Sequence, residues 1–387
     1  MNDSGFVDPD ILKQVKVGRD YVAAKYGFRN HWYPALLSEE LKEGSPTPLQ
    51  ICGEKILINR VEGVPYAIKD QCVHKGVPFS KKLECYQKGT ITCWYHGFTY
   101  RFSDGLLTGV VGMPSSNVIG RRRVKTYPMI EKKGVIFVFV GDEDAAPPPL
   151  EHDVPPGFLD DGVAVRGRRQ EVAANWRIGC ENGFDSTHIF IHRDSILVEG
   201  ADLALPLGLI PTGKESYRVE DKEGGPKGVY DLFSPAHVMP VFEGKIGNET
   251  VLTGAMHGKN VLPQTISLWL PCALKVDPWP APHLTQFEWY VPIDGDRHVY
   301  FQFLATQVTG KEDEQEFDTE YHERWIDLAL IGFNKDDIWA REASQPFYAD
   351  DTGWLREQLF EADGNIVKWR WLAGKHHRGI QEPHHVR

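Results

Sequence analysis

The sequence predicts an α+β protein: an N-terminal all-β domain over residues 1–150, entered by one helix, and a C-terminal domain over residues 151–387 in which helices pack on an antiparallel sheet. Three observations predict it. Short β-like runs broken by turns fill the first part, a proline-rich stretch at residues 145–149 interrupts the chain, and three long β-like runs lead into one long amphipathic segment.

The elements follow in order. Residues 10–26 read as a helix because Leu12, Val15, Tyr21 and Val22 keep roughly helical spacing, with Gly27 placed to end it. Residues 55–60 and 64–69 flank Glu62-Gly63 and read as a hairpin. Residues 88–94 and 135–140 are further strands. Ala145-Ala146-Pro147-Pro148-Pro149 stiffens the chain and removes backbone donors, which marks a domain boundary. Beyond it, residues 174–192 suit a helix, and residues 265–276, 284–293 and 298–307 suit strands. The acidic-then-aromatic segment 312–343 carries Phe317, Tyr321, Leu328 and Ile331 near helical spacing. No repeat or low-complexity segment interrupts this order.

Composition narrows the function. With 387 residues, 41% hydrophobic and 25% charged, the chain has the balance of a globular protein with two cores. Its net charge of −11 argues against a general affinity for nucleic acid, which needs a clustered basic surface. No apolar stretch approaches the roughly 20 residues that span a bilayer. The opening Asn2, Asp3 and Ser4 lack the basic and apolar regions of an export signal, so a cytoplasmic location is expected. Six cysteines spread over such a length are not a secreted disulfide framework. Close to histidines, they suggest metal.

The sharpest pattern is Cys72-Val73-His74-Lys75-Gly76 followed by Cys93-Trp94-Tyr95-His96-Gly97. Each loop offers one thiolate and one imidazole. Two such loops can clasp a two-iron, two-sulfide cluster, with Cys72 and Cys93 on one iron and His74 and His96 on the other. Structural zinc takes the same residue set, although a cysteine and a histidine mixed inside one short loop are unusual for zinc fingers. Cys85, between the loops, has no matching partner and reads as an ordinary buried thiol.

A second pattern runs from Glu181 to His192. His188 and His192 are four residues apart and project from one face of a helix, close enough to share a metal. Two histidines and one carboxylate leave positions open on Fe(II) for dioxygen. Taken alone the pair reads as ordinary histidines; a one-electron donor on the same chain gives it a purpose. Asp185, three residues before His188, is placed to hold the other ring nitrogen of that histidine; a capping aspartate is the plain alternative. The third ligand is sought in Asn334-Lys335-Asp336-Asp337. Asp337 shares a helical face with Phe333 and Asn334 and is preferred to Asp336, with a salt bridge to Arg341 as its competing role.

These loops, the Asn175-Trp176 pair, residues 181–192 and the late Asp pair stand in the order found in Rieske non-haem iron aromatic-ring-hydroxylating oxygenases, which the whole chain resembles. Residues 27–34, 90–96, 194–198, 202–208 and 332–342 resemble more narrowly the carbazole-dioxygenase branch of that family. The disulfide cysteines of respiratory Rieske subunits are missing here. The resemblance implies a Rieske [2Fe-2S] domain followed by a helix-grip catalytic domain, and one mononuclear Fe(II). It implies a homotrimer in which the partner subunit's His96 approaches Asp185, and electrons from a ferredoxin fed by an NAD(P)H reductase. Both atoms of dioxygen would then enter an aromatic ring, with carbazole and related tricyclic aromatics as substrates; a Rieske monooxygenase or demethylase is the rival enzyme. It implies that the Gly183 carbonyl accepts a substrate N–H and that Ile266, Leu274, Val276, Trp279, Gln286, Phe333 and Asn334 wall the pocket. Trp279 departs from the smaller Phe expected there. Independently, Ile266, Leu274 and Val276 share one face of an alternating strand and would serve equally as core. Arg121-Arg122-Arg123-Val124-Lys125 is a basic run suited either to steering an acidic ferredoxin or to a solvated face. His376-His377 and His384-His385 read as exposed tail residues.

Overall fold

A computed structural model describes residues 5–205, 217–231, 243–253, 262 and 265–386. Residues 206–208 of the stretch 202–208 lie outside them. Two compact units divide the chain: Phe28–Leu150 with Gln381–Arg387, and Met1–Gly27 with Glu151–Ile380. The chain passes from one unit to the other at 150/151, as in the expected division 1–150 and 151–387, whereas residues 1–27 and 381–387 fall in the other unit from the one expected. The reason at the N-terminus is hydrogen bonding: the Trp176 indole donates to the Ala24 carbonyl at 2.9 Å, and Asn175 Nδ2 donates to the Lys25 carbonyl at 2.9 Å. The segment expected as one helix over 10–26 is two short ones, Pro9–Leu12 and Arg19–Ala23. They part at Gly18, whose φ of 67° is left-handed.

The first unit is β-rich. Its strands are β1 His31–Leu37, β2 Thr47–Ile51, β3 Glu54–Val61, β4 Val64–Lys69, β5 Thr90–Thr92, β6 Phe98–Arg101, β7 Leu107–Val110, β8 Thr126–Tyr127, β9 Met129–Lys132 and β10 Val135–Val140. They form antiparallel sheets ordered β1-β10-β9, β2-β3-β4-β8 and β5-β6-β7. The expected hairpin is β3–β4, turned by Glu62 and Gly63 at φ 54° and 80°. The run 135–140 is β10, buried along its whole length. Residues 88–94 shorten to β5. Cys85 is exposed rather than buried.

Its polar anchor is Glu54, which is 1% exposed. Arg29 donates to Oε1 at 2.6 Å, while Lys125 and the Tyr127 hydroxyl donate to Oε2 at 2.9 and 2.6 Å.

The second unit carries β11 Val163–Val172, β12 Tyr217–Glu220, β13 Gly228–Asp231, β14 Glu243–Ile246, β15 Glu249–Thr253, β16 Thr265–Trp269, β17 Ala273–Asp277, β18 Thr285–Pro292 and β19 His298–Gln307. Among the described residues the main sheet is antiparallel, ordered β11-β19-β18-β17-β16-β13-β12, with β14-β15 separate. The run 265–276 is thus two strands, β16 and β17, and not one. Their register pairs Ile266 with Val276 and Leu268 with Leu274. The segment 312–343 is helical throughout but not uniformly α. Helix Lys311–Glu320 passes into a π-helical stretch, Tyr321–Phe333, and then into helix Asn334–Tyr348. Leu197, Trp279, Leu304, Phe317, Trp325 and Phe333 belong to one buried cluster that joins this helical segment to the sheet.

The segment 174–192 also divides. Helix Trp176–Phe184 starts at Asn175, whose side chain caps Arg177 N–H at 3.1 Å. It stops at Asp185, and a 3-10 helix runs over His188–Asp194. Asp185 is therefore not on one helical face with His188. Its carboxylate instead takes the N–H and hydroxyl of Thr187, both at 2.7 Å, which closes a local turn and breaks the helix.

Replacing Glu54 by Gln takes a carboxylate from Arg29, which keeps Asp142 at 2.9 Å, and from Lys125, which keeps the Gly141 carbonyl at 3.1 Å, and is expected to cost about 3 kcal/mol. Burial raises the Glu54 pKa, but Lys125, Tyr127 and Arg29 hold it below its ordinary 4.5. The contribution is therefore complete above about pH 4.5 and fades as pH falls through the lower folded value. Denaturant titrations of both proteins between pH 3 and 7 measure it; a constant difference over that range contradicts the account.

Candidate active site and metal centres

The two cysteine–histidine loops are built alike. Cys72 N–H donates to the Val77 carbonyl and Gly76 N–H to the Cys72 carbonyl, both at 2.9 Å. Cys93 N–H donates to the Phe98 carbonyl at 2.7 Å and Gly97 N–H to the Cys93 carbonyl at 2.9 Å. The same five-residue turn thus occurs twice, and each needs glycine at its end: Gly76 has φ 71° and Gly97 φ 70°. Both cysteines are buried within the core that includes Leu57, Ile68, Phe79 and Tyr100, whereas His74 and His96 are exposed. The imidazole rings lie 4.6 Å apart between centroids, and His74 stacks on Phe98 at 4.8 Å. Burial and the neighbouring Cys72 push the Cys93 thiol up. Two inner sulfurs and two outer nitrogens in matched turns fit a [2Fe-2S] cluster with a cysteine-bound and a histidine-bound iron.

In the second unit, His188, His192 and Asp337 offer ligand atoms that all lie within 4.8 Å of one another. Asp337 Oδ1 stands 3.3 Å from His188 Nε2 and 3.5 Å from His192 Nε2. His192 Nε2 and Asp337 Oδ1 are buried without a hydrogen-bond partner. That is the arrangement of a set of donors turned toward a common cation, and it fits a two-histidine, one-carboxylate iron site with open positions. Burial alone would push Asp337 up; His192, His188 and Arg341 hold it well below the usual carboxylate range. Burial likewise opposes charge on His188, yet Asp337 and Asp185 raise it to about 9.

The other ring nitrogens are fixed from behind. His188 Nδ1 contacts the backbone carbonyl of Asp185, not its carboxylate. His192 Nδ1 lies 3.3 Å from Asp336 Oδ2. The adjacent aspartates therefore divide the work, Asp337 facing the shared site and Asp336 orienting His192. This partnership was not legible from spacing, which offered the pair as competitors for one role.

A pocket adjoins this site, lined by Gly183, His188, Ile189, Ile266, Leu274, Val276, Trp279, Gln286, Glu288, Phe333, Asn334 and Asp337. All the expected wall residues meet there. Ile189 and Glu288 were missed, although Glu288 follows Gln286 at the strand period of two and so shares its face. Phe333 stacks on His192, 3.6 Å between centroids and 13° between planes, and Trp279 packs on Phe333 at 5.0 Å. Gly183 has no room for a Cβ, which would lie 2.1 Å from the Tyr290 hydroxyl oxygen. The N–H of Thr187, four residues after Gly183, is taken by Asp185, so the helix does not use the Gly183 carbonyl in that bond. Arg121, Arg122 and Arg123 are exposed. His384 is exposed, whereas His376, His377 and His385 are half-buried, against the expectation of an exposed tail.

Two metal centres of these kinds on one chain define an iron-dependent ring-hydroxylating oxygenase. The chain matches the homotrimeric ring hydroxylases over residues 139–381 and the Rieske [2Fe-2S] domain over residues 31–128, and it belongs to that family of oxidoreductases. Its cofactors are accordingly a Rieske [2Fe-2S] cluster and a mononuclear iron. It is 54% identical over 371 residues to the terminal oxygenase component of carbazole 1,9a-dioxygenase from Sphingomonas sp, covering 96% of this chain and 97% of that one. The corresponding component from Metapseudomonas resinovorans is 52% identical over 383 residues, 98% of this chain and 99% of the other. A solved structure of the reduced complex between oxygenase and ferredoxin in carbazole 1,9a-dioxygenase superposes with a TM-score of 0.94 at 51% identity, covering 100% of this chain and 98% of that chain. No described helix is long and apolar enough to cross a membrane.

Replacing Asp336 by Asn should loosen the His192 ring and weaken divalent metal binding about 10–100-fold, whereas Asp337→Ala should abolish it. Titration with Co(II), followed by its d–d absorption, measures both. Equal affinities in Asp336→Asn and the unsubstituted protein would remove Asp336 from the site.

Proposed function

We propose that this protein is the terminal oxygenase component of a ferredoxin-dependent dioxygenase that adds both atoms of dioxygen to adjacent ring carbons of a planar tricyclic aromatic. Carbazole is the proposed substrate, attacked at the angular carbon bonded to nitrogen; the resulting hemiaminal opens to an aminobiphenyl diol. The carrying observation is the His188/His192/Asp337 set opening onto an apolar pocket in a chain that also bears two cysteine–histidine loops. We place the protein in the cytoplasm, where reduced pyridine nucleotide feeds such electron chains.

When bound, the cluster supplies electrons singly and the mononuclear iron activates dioxygen. Cys72 and Cys93 would hold one iron of the cluster and His74 and His96 the other. His188, His192 and Asp337 would hold the mononuclear iron. Ile266, Leu274, Val276 and Phe333 present an apolar surface that orders a flat ligand and excludes water. The Gly183 carbonyl, set free at the helix end, would accept the substrate N–H and aim one ring edge at the metal side. Trp279 narrows the wall beside Phe333. In a homotrimer, the partner subunit's His96 would approach Asp185, and the Asp185 carbonyl against His188 Nδ1 continues that contact to the metal ligand.

Turnover under ¹⁸O-labelled dioxygen is the direct test: the diol should carry two labelled atoms, and one labelled atom would identify a monooxygenase instead. Asp185→Asn should retain both iron centres while slowing single-turnover electron transfer from the reduced cluster by at least about tenfold. Stopped-flow bleaching of the Rieske absorption reads this step, and an unchanged rate removes Asp185 from the path.

A further inference from the structure

The two cysteine–histidine loops are joined by a side chain that is not itself a ligand. The base of the first loop is fixed to the sheet. Ser80 N–H donates to Asp70 Oδ1 at 2.9 Å, the Ser80 hydroxyl donates to Asp70 Oδ2, and Asp70 N–H donates to the Lys55 carbonyl at 2.9 Å. Asp70 is buried, and Phe79 is buried against Tyr100, 5.5 Å between ring centroids. Pro78 lies between this base and the turn that carries His74. From the second loop, the Trp94 indole N–H donates to the Pro78 carbonyl at 2.9 Å. Trp94 follows Cys93 directly, so the bond is one residue from a cluster ligand. At the far end of the same loop, Phe98 lies flat on His74, 4.8 Å between centroids and 13° between planes. Tyr95 packs on His96 at 3.7 Å, and Trp94 on Tyr95 at 5.8 Å. The second loop therefore grips the first at both of its ends.

We propose that Trp94 is a positioning residue for the cluster: its indole N–H moors the second ligand loop to the fixed base of the first and so holds the two cysteine–histidine pairs at one separation. Each turn closes on itself through its own backbone bonds, which set the ligands within a loop but not the distance between loops. A site that draws two ligands from each loop depends on that distance as well. The indole suits the task because it donates and cannot accept, so it has one way to meet a carbonyl. A phenyl ring in its place would keep the half-buried packing and lose the mooring.

Trp94→Phe makes that exchange. The measurement is the electron paramagnetic resonance line shape of the reduced cluster in the holoenzyme, which reads the spread of ligand geometries without turnover. The lines should broaden relative to the unsubstituted protein. The Rieske absorption should also be lost to an iron chelator about five- to tenfold faster, one neutral hydrogen bond's worth. A merely structural role would lower the denaturant midpoint and leave the line shape of the intact cluster as it was. An unaltered line shape therefore overturns the inference, whatever the chelator rate. Should Trp94→Phe fail to assemble the cluster, a benzothiophene analogue of tryptophan at position 94 decides the matter, since it puts sulfur in place of the N–H within the same ring outline. The same broadening then supports the inference, and the original line width overturns it.

Discussion

One buried negative charge organises the catalytic unit. Asp337 is 5% exposed, and an isolated carboxylate so placed would cost several kcal/mol. Two imidazoles face it on one side, and the Arg341 guanidinium stands 4.0 Å away on the other. Arg341 is itself immobilised, its Nε donating to Asn182 Oδ1 at 2.6 Å and its plane flanked by Tyr290 and Tyr300. Those tyrosines are register partners on β18 and β19. The chain of causes runs from sheet register to tyrosine pair, from tyrosines to arginine, from arginine to carboxylate, and from carboxylate to the two histidines. A divalent cation would take its ligands from these three donors.

The helical segment facing the sheet solves a problem of register. Phe333 closes the π-helical stretch and Asn334 opens the following α-helix, so a change of helical pitch falls at the pocket. Phe333, Asn334 and Asp337 all reach the cavity from this junction. Asn334 Nδ2 donates to the Tyr300 hydroxyl at 3.1 Å, which ties the junction back to the sheet. An aromatic wall, a polar tie and a carboxylate of the candidate metal site thus arise within five residues.

Much of this was legible in the sequence because it rests on local rules. The two cysteine–histidine loops announced their glycine-ended turns, and β10 and the β3–β4 hairpin followed from hydrophobic runs and turn residues. The eight expected pocket residues came together, all of them expected through resemblance and only Ile266, Leu274 and Val276 also through alternation. What escaped was long-range. Nothing local shows that Trp176 binds Ala24 and so draws the first residues into the catalytic unit. The helix expected through 174–192 failed because Asp185 satisfies Thr187 better than a further helical turn would, a competition between side chain and backbone that periodicity does not register. Asp336 looked like a rival of Asp337 because sequence gives adjacency, not direction.

The interleaved chain path has a mechanical consequence. Residues 1–27 and 151–380 form one unit, while 28–150 and 381–387 form the other, so the backbone passes between them three times. A single nick after residue 150 would free neither: the front fragment keeps a piece of the rear unit, and the rear fragment keeps a tail belonging to the front one. Electron entry and oxygen chemistry are in this sense sewn together, and the halves cannot be shuffled or lost separately by one break in the chain.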